Sequence, residues 1–425
     1  MYILRSIMLL TREEWLQFGG CIKSSRNFIK GQELYMMQSS CMHDVYEIFT
    51  INILSIPVIK RSLGLKCLEH TFHFVRLCHE WKKNISIVVE NLVSIMLIFG
   101  TSIKVLTACS FQRRRKQIYS KIIRHLKNLK GEELKIMTDY IESGLKFTLS
   151  YMATGGVALV IYDGPPLYKM IFNMFFANST DKTLPYYLEY GIDHNKYHNY
   201  IIAHIMTIEV SSMIVIFAYD LSFVMIVHHN CALFNIVARR LKKAFEIAAK
   251  YRNNHQDVYV HDEDKAHSLL IVVIDTHNEA LELIAFIDNA YNLSWLLKLI
   301  DIVISTGALL SVLITITNGA SDFIRYLAYL TFILVQFNVA FNRGQEIIDL
   351  SYAVFQTCYN GEWEKFSKDS VFLLHMIMIR SSKCSNLTAG KLFTLSNEIY
   401  GNMLKTAFSY CTMFNSFMKQ DDHES

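Results

Sequence analysis

The sequence predicts an all-α, polytopic membrane protein with seven transmembrane helices and a cytoplasmic N-terminus. Three observations carry this reading. Of the 425 residues, 52% are hydrophobic and only 19% charged, and mean hydropathy is +0.22, which is more apolar surface than one soluble core of that length buries. Apolar runs near the ~20 residues that cross a bilayer recur along the chain. The four prolines are Pro57, Pro165, Pro166 and Pro185, so from Tyr186 to Ser425 nothing forces a helix to break and the second half should be almost entirely helical.

Taken in order, residues 1–45 read as a cytoplasmic segment. Its apolar start, Met1 to Leu10, is followed by Thr11, Arg12, Glu13 and Glu14 where a cleaved signal peptide needs small residues, so insertion relies on internal spans. The transmembrane domain runs over 46–419. A first, short span lies near 46–59 and carries Glu47 and Pro57. Stronger spans follow at 85–109, 144–163, 200–227, 293–317 and 324–342, and the stretch from Asn386 to Met418 supplies the last. Helical cytoplasmic extensions are expected near 236–288 and 345–385, with a short extracellular tail at 420–425. Within the first extension, 237–255 has apolar residues at helical spacing among basic ones, which suits either a subunit-contact helix or a solvated continuation of the preceding helix. Residues 256–267 are polar enough to read as a mobile loop.

Orientation follows from the loop cations, because positively charged loops stay cytoplasmic. The loop after 85–109 carries nine, from Arg113 to Lys135; the next carries Lys169, Lys182 and Lys196 only. The loop after 200–227 carries seven, the turn at 318–323 none, and the region after 342 carries six. The loop at 164–199, with its sequon Asn178-Ser179-Thr180, is therefore outside, and the last helix runs outward. Residues 60–83 run against the rule, with Lys60, Arg61, Lys66, Arg76, Lys82 and Lys83 on the predicted outer side.

Several classes are excluded. A net charge of +4, scattered among apolar runs, is not a nucleic-acid footprint. The nine cysteines show no CxxC spacing and read as core thiols, with at most one disulfide near the outer loops. No HExxH, P-loop or GxSxG occurs, so no enzyme and no cofactor is predicted. His228-His229, at a cytoplasmic helix end, read as surface histidines. Charges inside apolar spans are costly and start as functional suspects. Glu209 would meet His204 or a ligand, whereas Lys298 and Asp301 are i, i+3 neighbours expected to pair.

The last span has a wet side. Asn402, Lys405, Ser409, Thr412 and Ser416 fall at i, i+3, i+7, i+10 and i+14 and share one helix face. A membrane helix with such a stripe lines water, most simply a pore, although a half-exposed helix of a soluble bundle has the same pattern. Met413 borders the stripe and Phe417 lies one turn further out.

The C-terminal third carries a family likeness. In NRGQEIIDLSYAVFQTCYNGEWEKFSKDS, Gly344, Ser351, Ala353 and Trp363 stand at recognisable positions; then come Arg380-Ser381, Thr388-Ala389-Gly390, Leu395-Ser396, Leu404-Lys405 and Ser409-Tyr410. In the second outer loop, LPYYLEYGIDHNKYHNY adds a Leu-Pro-Tyr followed by tyrosines. Together these resemble the insect odorant receptors, with Glu362 before Trp363 and Phe408 before Ser409 as small departures and the first 80 residues as the main one. The resemblance implies an odorant-gated, nonselective cation channel in the plasma membrane of olfactory sensory neurons, assembled as a heterotetramer with a shared co-receptor and surrounded by lipid. Four copies of the last helix would surround the pore, with a hydrophobic constriction at Met413 and Phe417. Small volatile odorants would bind in the outer half of each subunit, where the spans present Leu92, Met96, Thr154, Val157, Tyr162, Ile205, Met206, Glu209, Tyr326, Tyr329 and Gln336. Aromatic and methionine walls with few polar groups suit such ligands. A metabotropic seven-helix chemoreceptor and a secondary transporter are the alternatives.

Overall fold

A computed structural model describes residues 85–176, 194–253, 259–315 and 319–424. The expected N-terminal segment, the first span at 46–59, the basic stretch 60–83 and the sequon lie outside these residues. The described chain is built on eight α-helices: α1 (Ile85–Ser110), α2 (Gln112–Asn128), α3 (Gly131–Phe176), α4 (His194–Asn253), α5 (Tyr259–Thr315), α6 (Ala320–Tyr359), α7 (Lys368–Ser381) and α8 (Asn397–Glu424). A short 3-10 turn, Trp363–Lys365, joins α6 to α7, and strands β1 (Thr388–Ala389) and β2 (Phe393–Thr394) form a hairpin before α8.

Five helices are long and apolar enough to cross a membrane: Asn91–Ser110, Gly131–Pro165, Lys196–Lys250, Asp264–Ile314 and Ala320–Tyr359. They contain the expected spans 144–163, 200–227 and 324–342 and overlap most of 85–109 and 293–317. The last helix, α8, is not among them, because its polar stripe dilutes the hydropathy of the window. Charged extensions continue the apolar spans without interruption, so α4 and α5 become single rods. Only Tyr197 departs from helical geometry in α4, at its first turn.

The middle of α4 is the axis of the bundle. Every residue from Ala218 to Phe234 is buried, as expected of a helix apolar all round. It packs on α3, α5 and α6, while α5 also holds α1 and α8. Further along, Leu241, Ala244 and Ala248 of α4 are buried and Phe245 meets Phe366 edge-on at 5.3 Å. The apolar face of 237–255 is thus used within the chain. Helix α5 begins at Tyr259, which corrects the expected loop over 256–267 from that residue onward; an acidic run at a helix start is favoured by the helix dipole.

Among the described residues the strands of the second half are those of this hairpin, and it docks on α5. Gly390 and Lys391 both have positive φ, +63° and +61°, a turn that glycine adopts freely and lysine only when held. Asp288 of α5 holds it: its Oδ1 accepts from the Thr388 N–H and Oγ1, each at 2.7 Å, and its Oδ2 accepts from Lys391 Nζ. The Gly390 N–H donates to Asn292 O at 2.8 Å. Nearby, Ser351 Oγ accepts from the Ser385 N–H at 3.0 Å, and a Cβ on Gly344 would collide with the carbonyl and, at 2.7 Å, with Cβ of Leu395. Five of the motif residues of the C-terminal third, Gly344, Ser351, Thr388, Gly390 and Leu395, therefore take part in contacts that seat the hairpin and the start of α8 on α5 and α6.

Candidate functional site

An apolar cleft opens between α1, α3, α4 and α6; the empty space in and around it, open solvent included, is about 750 Å³. Each helix offers it one face at helical spacing: Val93, Ser94, Leu97 and Ile98 from α1; Ala158, Leu159 and Tyr162 from α3; Ile208, Glu209, Ser212, Met213 and Ile216 from α4; Tyr329 and Phe332 from α6. Phe332 belongs to a stacked set, 5.9 Å from the Tyr151 ring, with Phe217 edge-on to Tyr151 at 5.5 Å. Tyr162 and Tyr329 also meet in the lining, with ring centres 5.7 Å apart and planes tilted by 50°. Such a wall buries apolar ligands and offers few polar atoms to orient them.

Of the sequence-predicted ligand residues, Tyr162, Glu209 and Tyr329 line this cleft and Gln336 lines its deeper neighbour. Leu92, Met96 and Val157 each precede a lining residue by one position and so point about 100° away around their helices. Val157 is 59% exposed. Thr154 lies one turn before Ala158 and lines neither cavity; Ile205 is fully buried, Met206 is half-buried off the wall, and Tyr326 is buried against Tyr162. Sequence reasoning missed Ser94, Leu97, Ser212, Met213 and Phe332. A half-turn periodicity test anchored on Glu209 finds Ser212, Met213 and Ile216 as its i+3, i+4 and i+7 partners, the one signal available beforehand.

Polar groups gather at both ends. Towards the α3 end, Glu209 is hydrogen-bonded to Asp163, and Arg325 Nε donates to Tyr162 O at 2.8 Å with its guanidinium over the Tyr162 ring. Deeper, a second cavity shares Leu97, Ile216 and Tyr329 with the first and is walled by Lys104, Lys298, Asp301, Ser305 and Gln336. Here Lys104 and Asp220 form a buried ion pair at 2.7 Å. The same Asp220 Oδ2 accepts from Tyr151 Oη at 2.8 Å and Gln336 Nε2 at 2.9 Å. The expected pairing of Lys298 with Asp301 is not formed. Lys298 Nζ instead sits 4.1 Å from the ring centre of Tyr219, which α4 supplies and the spacing along α5 does not reveal, and 4.3 Å from that of Trp295, its i−3 neighbour on α5. Asp301 stays with Ser305 on its own helix.

The histidine expectation is also corrected. His228 and His229 are buried in the middle of α4, not surface residues, because α4 continues well past the apolar span. His229 stacks on His125 of α2 at 5.4 Å, and Arg343 NH1 lies 3.1 Å from His228 Nε2. Burial lowers the His125 pKa, against the pull of Glu279. No group of three or more metal-ligating side chains occurs among the described residues.

On α8, Ala407 and Cys411 face inward, and Ser311 Oγ of α5 donates to the Cys411 carbonyl at 3.2 Å. The opposite face is uncovered: Asn402, Lys405, Ser409, Thr412, Met413 and Ser416 are all exposed, together with Phe408 and Tyr410. The backbone of Phe417 continues the helix.

Long apolar rods around an aromatic cleft, with a buried charged floor, define a multi-pass, all-α membrane protein. The family model described as 7tm Odorant receptor matches residues 84–408, and the chain belongs to that family of receptors, not to an enzyme family. It is 21% identical over 282 residues to odorant receptor 13a of Drosophila melanogaster, covering 62% of this chain and 64% of that one. It is 24% identical over 101 residues to odorant receptor Or2 of Anopheles gambiae, covering 24% and 27%. The chain thus spans less than two thirds of the length of either relative in these matches. The fold is similar to the olfactory receptor OR5 of Machilis hrabei in complex with eugenol, with TM-score 0.66, 12% identity, and 84% of this chain and 88% of that one covered. The same receptor described without eugenol gives 0.64 at 12% identity, with 84% and 87% covered.

Proposed function

We propose that the chain is the odorant-specific subunit of a heteromeric, ligand-gated, nonselective cation channel, working with the family's co-receptor in the plasma membrane of olfactory neurons. The observation that carries this reading is the exposed face of α8. One subunit packs Ala407 and Cys411 against α5 and leaves a stripe of polar side chains exposed among the described residues. A face of that kind in a membrane helix suits water on one side and neighbouring copies on the other. Asn402, Lys405, Ser409, Thr412 and Ser416 would wet the pore, and Met413 with Phe417 would form its apolar constriction.

Small apolar odorants would enter the cleft walled by Tyr162, Tyr329 and Phe332. Binding there shifts the population towards an open state only in so far as the open cleft binds more tightly than the closed one. Helix α5 is the natural link, since it borders the deeper cavity through Lys298, Asp301 and Ser305 and holds α8 through Ser311.

The test is to co-express the chain with the co-receptor and record odorant-evoked current. Prompt current that persists with nucleotide second messengers blocked is expected, and current that requires those messengers would instead favour a metabotropic receptor. In the same cells Met413→Lys should change conductance or ion preference; unchanged permeation would remove Met413 from the pore.

A further inference from the structure

We propose that the deeper cavity is a head-group subsite, in which Lys298 donates to an oxygen acceptor on a ligand whose apolar body fills the aromatic cleft. This rests on the reading of the cleft as the ligand site and adds to it the chemical class of ligand: an aliphatic or aromatic body ending in a carbonyl or carboxylate.

The two cavities share walls. Leu97, Ile216 and Tyr329 line both, so a ligand longer than the cleft reaches the second cavity past the Tyr329 ring. At its far end most donors are already engaged. Thr101 Oγ1 donates to Leu97 O at 2.8 Å, Ser305 Oγ to Asp301 O at 2.6 Å, and Lys104 Nζ and Gln336 Nε2 both donate to Asp220. Lys298 is the exception. Its residue is 2% exposed and lines the cavity, yet Nζ has no hydrogen-bond acceptor among the described residues; the π-faces of Tyr219 and Trp295 lie beside it, and the Asp220 and Asp301 carboxylates act on it only through space, against the Lys104 charge. A buried amine without a hydrogen-bond acceptor leaves part of its desolvation cost unmet even with carboxylates nearby, and a ligand oxygen would relieve it. Neither outcome of its charge alters the geometry: the ammonium and the neutral amine both have N–H to give. The rings of Tyr219 and Trp295 hold the amine in place, so its position is set by the fold and not by the ligand.

The discriminating experiment uses the full chain in lipid nanodiscs and three tritiated probes of equal length, octane, 2-octanone and octanoate, with binding measured over empty nanodiscs. At least one oxygenated probe should bind about tenfold or more tightly than octane, the size of effect a hydrogen bond to a buried amine supports. Preference for 2-octanone assigns a neutral acceptor, and preference for octanoate an anionic one. Lys298→Met, which keeps length and apolar bulk, should abolish the gap and leave octane binding unchanged. Equal binding of all three probes to the wild type, or equal weakening of all three by the variant, overturns the subsite. Binding of none overturns the cleft reading itself and the subsite with it. A second readout covers a variant that does not fold: because the Trp295 ring lies 4.3 Å from Nζ, the favoured oxygenated probe should shift its emission where octane does not, with Trp295→Phe as the blank. No difference between those probes is again fatal.

Discussion

Replacing Asp220 by alanine tests the buried charged floor most directly. The substitution removes the acceptor of three hydrogen bonds, from Lys104 at 2.7 Å, Tyr151 at 2.8 Å and Gln336 at 2.9 Å, at a position where all the partners come from other helices. Removing one member of a buried ion pair costs about 3–5 kcal/mol, because the other charge is left without compensation. The two neutral donors add roughly 1 kcal/mol or more each unless water enters to take them. A loss of about 4 kcal/mol or more is expected. At roughly 2 °C per kcal/mol for a chain of this size, the apparent melting temperature in nanodiscs should fall by about 8 °C. Adding Lys104→Met to the Asp220→Ala background removes the orphaned charge and should recover at least about 2 kcal/mol, since a buried pair replaced by apolar groups is close to neutral. The reasoning fails if Asp220→Ala melts within about 2 °C of wild type, or if the double variant melts no higher than the single one.

Two contacts near the C-terminus give further expectations. Gly344→Ala should destabilise the chain by about 1–3 kcal/mol, because its Cβ would drive α6 away from Leu395 and unseat the start of α8; a wild-type melting temperature would show that the backbone yields without cost. Asp288→Ala strips the hairpin of its anchor at Thr388 and Lys391 and should speed amide exchange over 385–396 by about tenfold, read by mass spectrometry, while exchange in the middle of α4 stays unchanged. Equal acceleration in both regions would mean global loosening and not a local anchor.

The five stronger spans were legible because apolar length is a property of a single segment. Helix phase was less so. Knowing that the outer half of a span faces a cleft does not say which residues of a turn do, and an error of one position turns a side chain by about 100°. Hence Met96 and Val157 were expected where Leu97 and Ala158 stand. Lys298 shows the second limit: i, i+3 spacing offered Asp301, but Tyr219 on another helix and Trp295 one turn back made the closer surroundings. The hairpin was hidden because strands of two residues carry no periodicity, although Gly390 was in view as part of a motif. That motif pointed to the family correctly while its physical cause, a turn clamped by Asp288, needed the fold.

The unbroken length of α4 has a mechanical consequence. From Ser212, in the cleft wall, to Lys250 the helix rises about 57 Å at 1.5 Å per residue. A rod of that length amplifies: a tilt of about 2° pivoting at the cleft, far less than a side-chain rotation, displaces its distant end by about 2 Å. Leverage of this kind requires no relay of side chains between the two ends. It does require stiffness, and a helix buried on every side over its central turns, without a proline along its length, supplies it.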